Sequence, residues 1–184
     1  LTNGTSRNWI WKQAEPAHLG VGPEFFDDGS PGDAPIWYAA TPNEKEGDGC
    51  LYTDVITFSA VDESSVSLVL NNGGVTYFNR EEVPDALGQP LIDSDACYDF
   101  ETTGTFPVTF FQTGSGITNS TGIGMEINGG GFMSYFTGSS TYELLLVSDQ
   151  ELHVRVIQEV PGLRLAWYQK FIAEDAEMET EEDD

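Results

Sequence analysis

"TYELLLVSDQELHVRVIQEVPGLRLAWYQKFI", from Thr141 to Ile172, decides the fold. Three runs rich in β-branched and aromatic residues, 141–148, 151–157 and 163–172, are separated only by turn residues: "SDQ" at 148–150 and "PG" at 161–162. Apolar and polar positions alternate with period two along them, the pattern of strands with one buried face. The three therefore read as a plain meander of antiparallel strands.

Working outward, the same grammar recurs. "RNWIWKQ" (7–13), "YTDVITFSA" (52–60) and "SVSLVLN" (65–71) read as strands; "NNGG" is a hairpin turn and "VTYFN" (75–79) its return strand. "CYDFE" (97–101), "FPVTFFQ" (106–112) and "GIGMEI" (122–127) continue the series, giving about ten strands in all. Only "REEVPDALG" (80–88) offers a helical turn, and Pro84 interrupts it. Many short strands with Gly/Pro turns specify an all-β domain, either a sandwich or a barrel. The reading favours a β-sandwich of jelly-roll type, with an up-and-down β-barrel as the alternative that the terminal meander supports. Domain limits follow: a linker at 1–6, the β domain at 7–173, and an acidic tail at 174–184 expected to be disordered.

Seven bases stand against 31 acids, a net charge of −24. Eight of those acids lie in the tail, so the remainder still carries 23 acids against the seven bases. Such a field repels phosphate backbones, anionic membranes and polyanionic glycans, which excludes nucleic acid as a partner and leaves neutral ligands and cations. No apolar run approaches the roughly 20 residues of a spanning helix, so no membrane insertion of this domain is expected. Nor does a signal peptide open the chain, which reads as a mature or excised segment.

Catalytic constellations are hard to assemble. A retaining glycosidase needs two carboxylates about 5–5.5 Å apart. Glu126 and Glu143, each the lone acid of its strand, do not supply that pattern. His153 alternates with Leu152 and Val154 as an ordinary strand residue. His18, on the Gly-rich "AHLGVGP", is the better ligand contact. Asp27, Asp28 and Asp33 in "FFDDGSPGD" could surround a structural calcium ion, which takes six to eight oxygens; no other cofactor is implied. The triplets at Asn3 and Asn119 match the glycosylation pattern, which is frequent by chance. Cys50 and Cys97 are either one disulfide or two core thiols. An exported domain favours the disulfide, and a Cys50–Cys97 bridge is expected.

The aromatics carry more. A pyranose has apolar faces and a polar edge, so a site needs flat rings flanked by hydrogen-bonding side chains. Trp37 and Tyr38 follow the irregular segment 14–35, and Asn43, Glu44 and Lys45 come in the turn just after. Trp37 is expected as a partly exposed platform. Trp167 adds a ring in the last strand, in an alternation that also suits a core side chain, as do those of Trp9 and Trp11. A second irregular segment, 113–140, is the other place where binding is expected.

"RNWIWKQAEPAHLGVGP" (7–23), "IWYAATPNEKEGDGCLYTDVITFS" (36–59), "YELLLVSDQELHVRVI" (142–157) and "AWYQKFI" (166–172) together resemble a known family. This is the C-terminal carbohydrate-binding domain of surface glycan-binding lipoproteins, often behind PKD-type repeats, from polysaccharide utilisation loci of marine Bacteroidota. Several of those loci serve laminarin, a β-1,3-glucan. The resemblance covers most of 7–172, but 113–140 carries none of its motifs. It implies a non-enzymatic module that captures a neutral β-glucan outside the cell. Anchoring would come through the rest of a lipoprotein, with a SusD-like uptake complex as partner. A laminarinase-like hydrolase with an unrecognised carboxylate pair, or a structural spacer, are the alternatives.

Overall fold

The computed structural model describes residues 1–176. The strands, in order, are β1 (Ser6–Trp11), β2 (Leu19–Pro23), β3 (Tyr38–Ala39), β4 (Val55–Ala60), β5 (Val66–Asn71), β6 (Val75–Phe78), β7 (Ala96–Asp99), β8 (Phe106–Gln112), β9 (Ile123–Ile127), β10 (Thr141–Val147), β11 (Glu151–Val160) and β12 (Leu163–Ala173). A short helix, α1 (Val83–Leu87), follows β6. Pro84 falls in its first turn, where the missing N–H costs nothing.

The all-β expectation holds. Of the two arrangements left open by the sequence, the strand order is that of the barrel. The ring runs β1-β4-β5-β8-β9-β10-β11-β12 and returns to β1, every pair antiparallel. Closure is made by β1, which pairs on one side with β4 and on the other with β12 through Trp9–Ala173 and Trp11–Phe171. Eight strands leave just enough interior for side chains to fill. Trp9, Trp11, Phe58, Leu68, Met125, Tyr142, Val154 and Phe171 are fully buried and fill it.

Two excursions leave the ring. The first makes β2 and β3. β1 covers β12 at 171–173 and β2 covers it at 165–169, so the two lie end to end along one edge with the turn 12–18 between them. β2 was hidden in a segment read as irregular, because Gly20 and Gly22 look like loop residues. Here they allow close approach: a Cβ on Gly22 would stand 2.3 Å from the Ala34 carbonyl oxygen, and one on Gly20 2.6 Å from Pro35. The second excursion is the β6–β7 hairpin.

The ends of the domain differ from the expected limits. Leu1 packs on the core, and its carbonyl accepts the Trp9 indole N–H at 3.0 Å. Residues 174–176 form a helical turn. There Arg7 grips Asp175 with three bonds of 2.9, 3.0 and 3.2 Å, and Asn8 donates to Glu174. The rest of the acidic tail, 177–184, lies outside the described residues.

Candidate functional site

The inward face of β12 carries Trp167, opposite Val21 of β2, which is itself opposite Tyr38 of β3. This row crosses three strands and makes one side of an open cleft of about 380 Å³. Tyr77 of β6 lines it with them. Its walls are Lys45 and Asp48 from the turn after β3, and Arg80 with Asp93–Asp95 from the connections around α1. Aromatic rings thus stand beside charged and hydroxyl groups.

Each wall is held from behind. The Tyr38 hydroxyl donates to Glu44 Oε1 at 2.7 Å, and Glu44 Oε2 accepts the Thr41 N–H and hydroxyl. Thr41 and Tyr38 together hold the Glu44 carboxyl below its ordinary range. Burial, then the bond to Glu44, pushes the Tyr38 hydroxyl well up, so Tyr38 stays a neutral donor. Lys45 Nζ lies 5.6 Å from the ring centre of Tyr38 and 5.9 Å from that of Tyr77, within cation–π range. It takes no part in the ion pairs found among the described residues.

A buried chain of hydrogen bonds fixes the opposite side. Trp167 Nε1 donates to Gln158 Oε1 (2.7 Å) and Gln158 Nε2 to Asn79 Oδ1 (2.9 Å). Asn79 Nδ2 donates to the Tyr135 hydroxyl (2.7 Å), which donates to Asp95 Oδ2 (2.7 Å). Asp95 Oδ1 accepts the Arg80 N–H. Trp167 is therefore oriented by its indole N–H and offers the cleft only part of its ring, being 7% exposed. The Cys50–Cys97 bridge is present. It fastens the end of the Lys45–Asp48 wall to β7, directly after the Asp93–Asp95 wall.

Of the expected ligand residues, Tyr38, Lys45 and Trp167 come together here. Four do not line the cleft. His18 is fully buried, which removes it as a ligand contact. Its Nδ1–H donates to the Glu15 carbonyl, so Nε2 accepts the Tyr52 hydroxyl at 2.6 Å. That hydroxyl oxygen accepts the Lys45 backbone N–H at 3.0 Å. Burial lowers the His18 pKa and keeps the ring neutral. His18 is thus a support for the turn that carries Lys45. Asn43 takes a left-handed conformation (φ 59°) and builds the turn itself, with its N–H on the Gln13 carbonyl. Glu44 acts through Tyr38. Trp37 is 50% exposed, as expected of a side chain outside the core. It lies in the bend just before β3, however, and is not among the residues that line the cleft.

Asp27, Asp28 and Asp33 do not converge. Asp28 Oδ1 is taken by the N–H and hydroxyl of Ser30, and Asp33 Oδ2 faces the Thr118 hydroxyl at 3.3 Å. Among the described residues no group of three His, Cys, Asp or Glu side chains is placed to hold a metal ion.

A second cavity of about 360 Å³ lies on β11–β12 between the two long irregular segments. His153 is engaged with Glu151, Lys170 with Glu15 and Pro16, and the Tyr168 hydroxyl with the Gly32 carbonyl, while the buried Gln169 amide that also lines it has no hydrogen-bond partner among the described residues. The 113–122 segment is likewise tied down, by Glu143. Burial would raise that carboxyl, but the hydroxyls of Ser115, Ser120 and Thr113 with Arg155 outweigh it and hold it low.

Tyr77, Arg80, Asp93 and Asp95 were not foreseen. They are scattered singly through 77–95, and only the docking of the β6–β7 excursion against β12 makes them neighbours of Trp167. No protein-family model matches the chain, and no curated protein is significantly similar to it in sequence.

Proposed function

We propose that this is a non-catalytic carbohydrate-binding domain that captures a neutral glucan, a β-1,3-glucan of laminarin type, at a cell surface. The observation that carries the reading is the cleft itself. The partly exposed Tyr38 and the exposed part of Trp167 offer apolar ring surface above the buried Tyr77, with Lys45, Asp48, Asp93 and Ser94 beside them to bond sugar hydroxyls. Aromatic stacking with polar edge contacts is how a pyranose is held in water. Charge narrows the class. Asp48, Asp93 and Asp95 outnumber Lys45 and Arg80 in the walls, on a chain of net charge −24, which disfavours uronic or sulfated glycans. Asp95 supports the wall from within, its two oxygens held by Tyr135 and the Arg80 N–H. A SusD-like uptake complex and a lipoprotein anchor remain part of the same proposal.

Affinity electrophoresis against laminarin, mixed-linkage glucan, alginate and a sulfated galactan tests it. Retardation by the neutral glucans alone is expected. Retardation by none would favour a spacer, and release of reducing sugar from laminarin would favour a hydrolase.

A further inference from the structure

We propose that the site recognises an internal stretch of a linear chain, several sugar rings long, and not a chain end. This rests on the carbohydrate-binding reading above. A second open cleft of about 450 Å³ adjoins the first, and Arg80, Asp95 and Trp167 line both. Its floor is built by period-two alternation. Leu163, Leu165 and Trp167 are successive same-face residues of β12, with Val160 opposite Leu163 across the hairpin.

Four residue steps at about 3.3 Å carry this rail roughly 13 Å from Trp167. At Trp167 the surface turns across the sheet, where the row Trp167–Val21–Tyr38 extends it by two strand spacings of about 4.8 Å each. Leu163 is 47% exposed, so the rail runs out to solvent at the hairpin tip. The walls stay polar along it, with Asn79 and Glu81 continuing the line of Arg80 and Asp95. Both clefts are open and share one boundary, so a chain lying across Trp167 would enter at one end and leave at the other. A terminal-sugar site would instead be closed at one side. The occupant this fits is a polymer of neutral hexoses with alternating apolar faces and hydroxyl edges.

The test is calorimetric titration of the full chain with the di-, tetra- and hexasaccharide of the β-1,3-glucan series, and with laminarin. The hexasaccharide is expected to bind at least tenfold tighter than the disaccharide. In the surface variant Leu163→Asn, that advantage should collapse. Equal affinity for all chain lengths in the wild type would overturn the groove while leaving the carbohydrate reading intact. Binding of none of them would overturn both. The wild-type series decides the matter even if the variant fails to fold.

Discussion

Asp54 is a carboxylic acid with nowhere to put a charge. It is buried just before β4, and among the described residues neither oxygen has a hydrogen-bond partner at ordinary bonding distance, the Ser134 hydroxyl giving only a weak, longer contact. Burial pushes its pKa up to about 7, opposed only in part by the Ser134 hydroxyl, which already accepts from Trp11 Nε1 at 2.7 Å. In the unfolded chain an aspartate titrates near 3.9. From about pH 4 to pH 7 the native state therefore holds a proton that the unfolded state has released, so stability falls as pH rises through that window and levels off above it. At about 1.4 kcal/mol per unit, three units amount to about 4 kcal/mol. This is an upper bound, because water admitted beside the carboxylate would reduce it.

Asp54→Asn keeps the shape and removes the titration. Its stability advantage over wild type should grow by about 3 kcal/mol between pH 5 and pH 8, two units at the same rate. Urea unfolding of both proteins at pH 5, 6.5 and 8 measures it, and taking the difference between the two cancels every other titrating group. A pH-independent difference, or a variant that loses stability as pH rises, would refute the reasoning.

Tyr52→Phe removes the hydroxyl that links His18 to the Lys45 turn, and should weaken glucan binding several-fold while costing about 1–3 kcal/mol of stability, because the buried His18 Nε2 loses its partner. Replacing Cys50 and Cys97 together by serine should cost about 2–4 kcal/mol of stability in the loop-entropy model. Because the bridge joins the two cleft walls, calorimetry should also register weaker binding in the variant that remains folded. Glu143→Gln leaves the buried Arg155 without its charge partner and should cost about 3–5 kcal/mol, with faster hydrogen exchange confined at first to 113–122.

Much of the barrel was legible because its strands announce themselves by period-two alternation. Trp9 and Trp11, Leu152 through Val156, and Phe171 are where that pattern puts them. Closure was not legible, since it depends on β1 pairing with two partners far away in sequence, and alternation says nothing about partners. β2 was missed because its glycines serve close backbone approach, a tertiary requirement that imitates a turn. Half of the cleft shares this fate. Tyr38 and Lys45 were visible as an aromatic beside a polar turn. Asp93 and Asp95 are two acids in a loop until Tyr135 and Arg80 hold one of them beside Trp167. His18 read as a ligand contact because it stands on a glycine-rich segment, yet it is buried with both ring nitrogens bonded, a placement that only the approach of Tyr52 reveals.

The most direct test sets two neighbours against each other. Titrating soluble laminarin into wild type, Tyr38→Ala and Trp37→Ala compares an aromatic that lines the cleft with an exposed one that does not. Loss of the Tyr38 stacking face should cost about 2 kcal/mol of binding, roughly thirtyfold. Trp37→Ala should bind within about twofold of wild type, since Trp37 does not line the cleft. Full affinity in Tyr38→Ala, with binding lost in Trp37→Ala, would contradict the cleft as the glycan site.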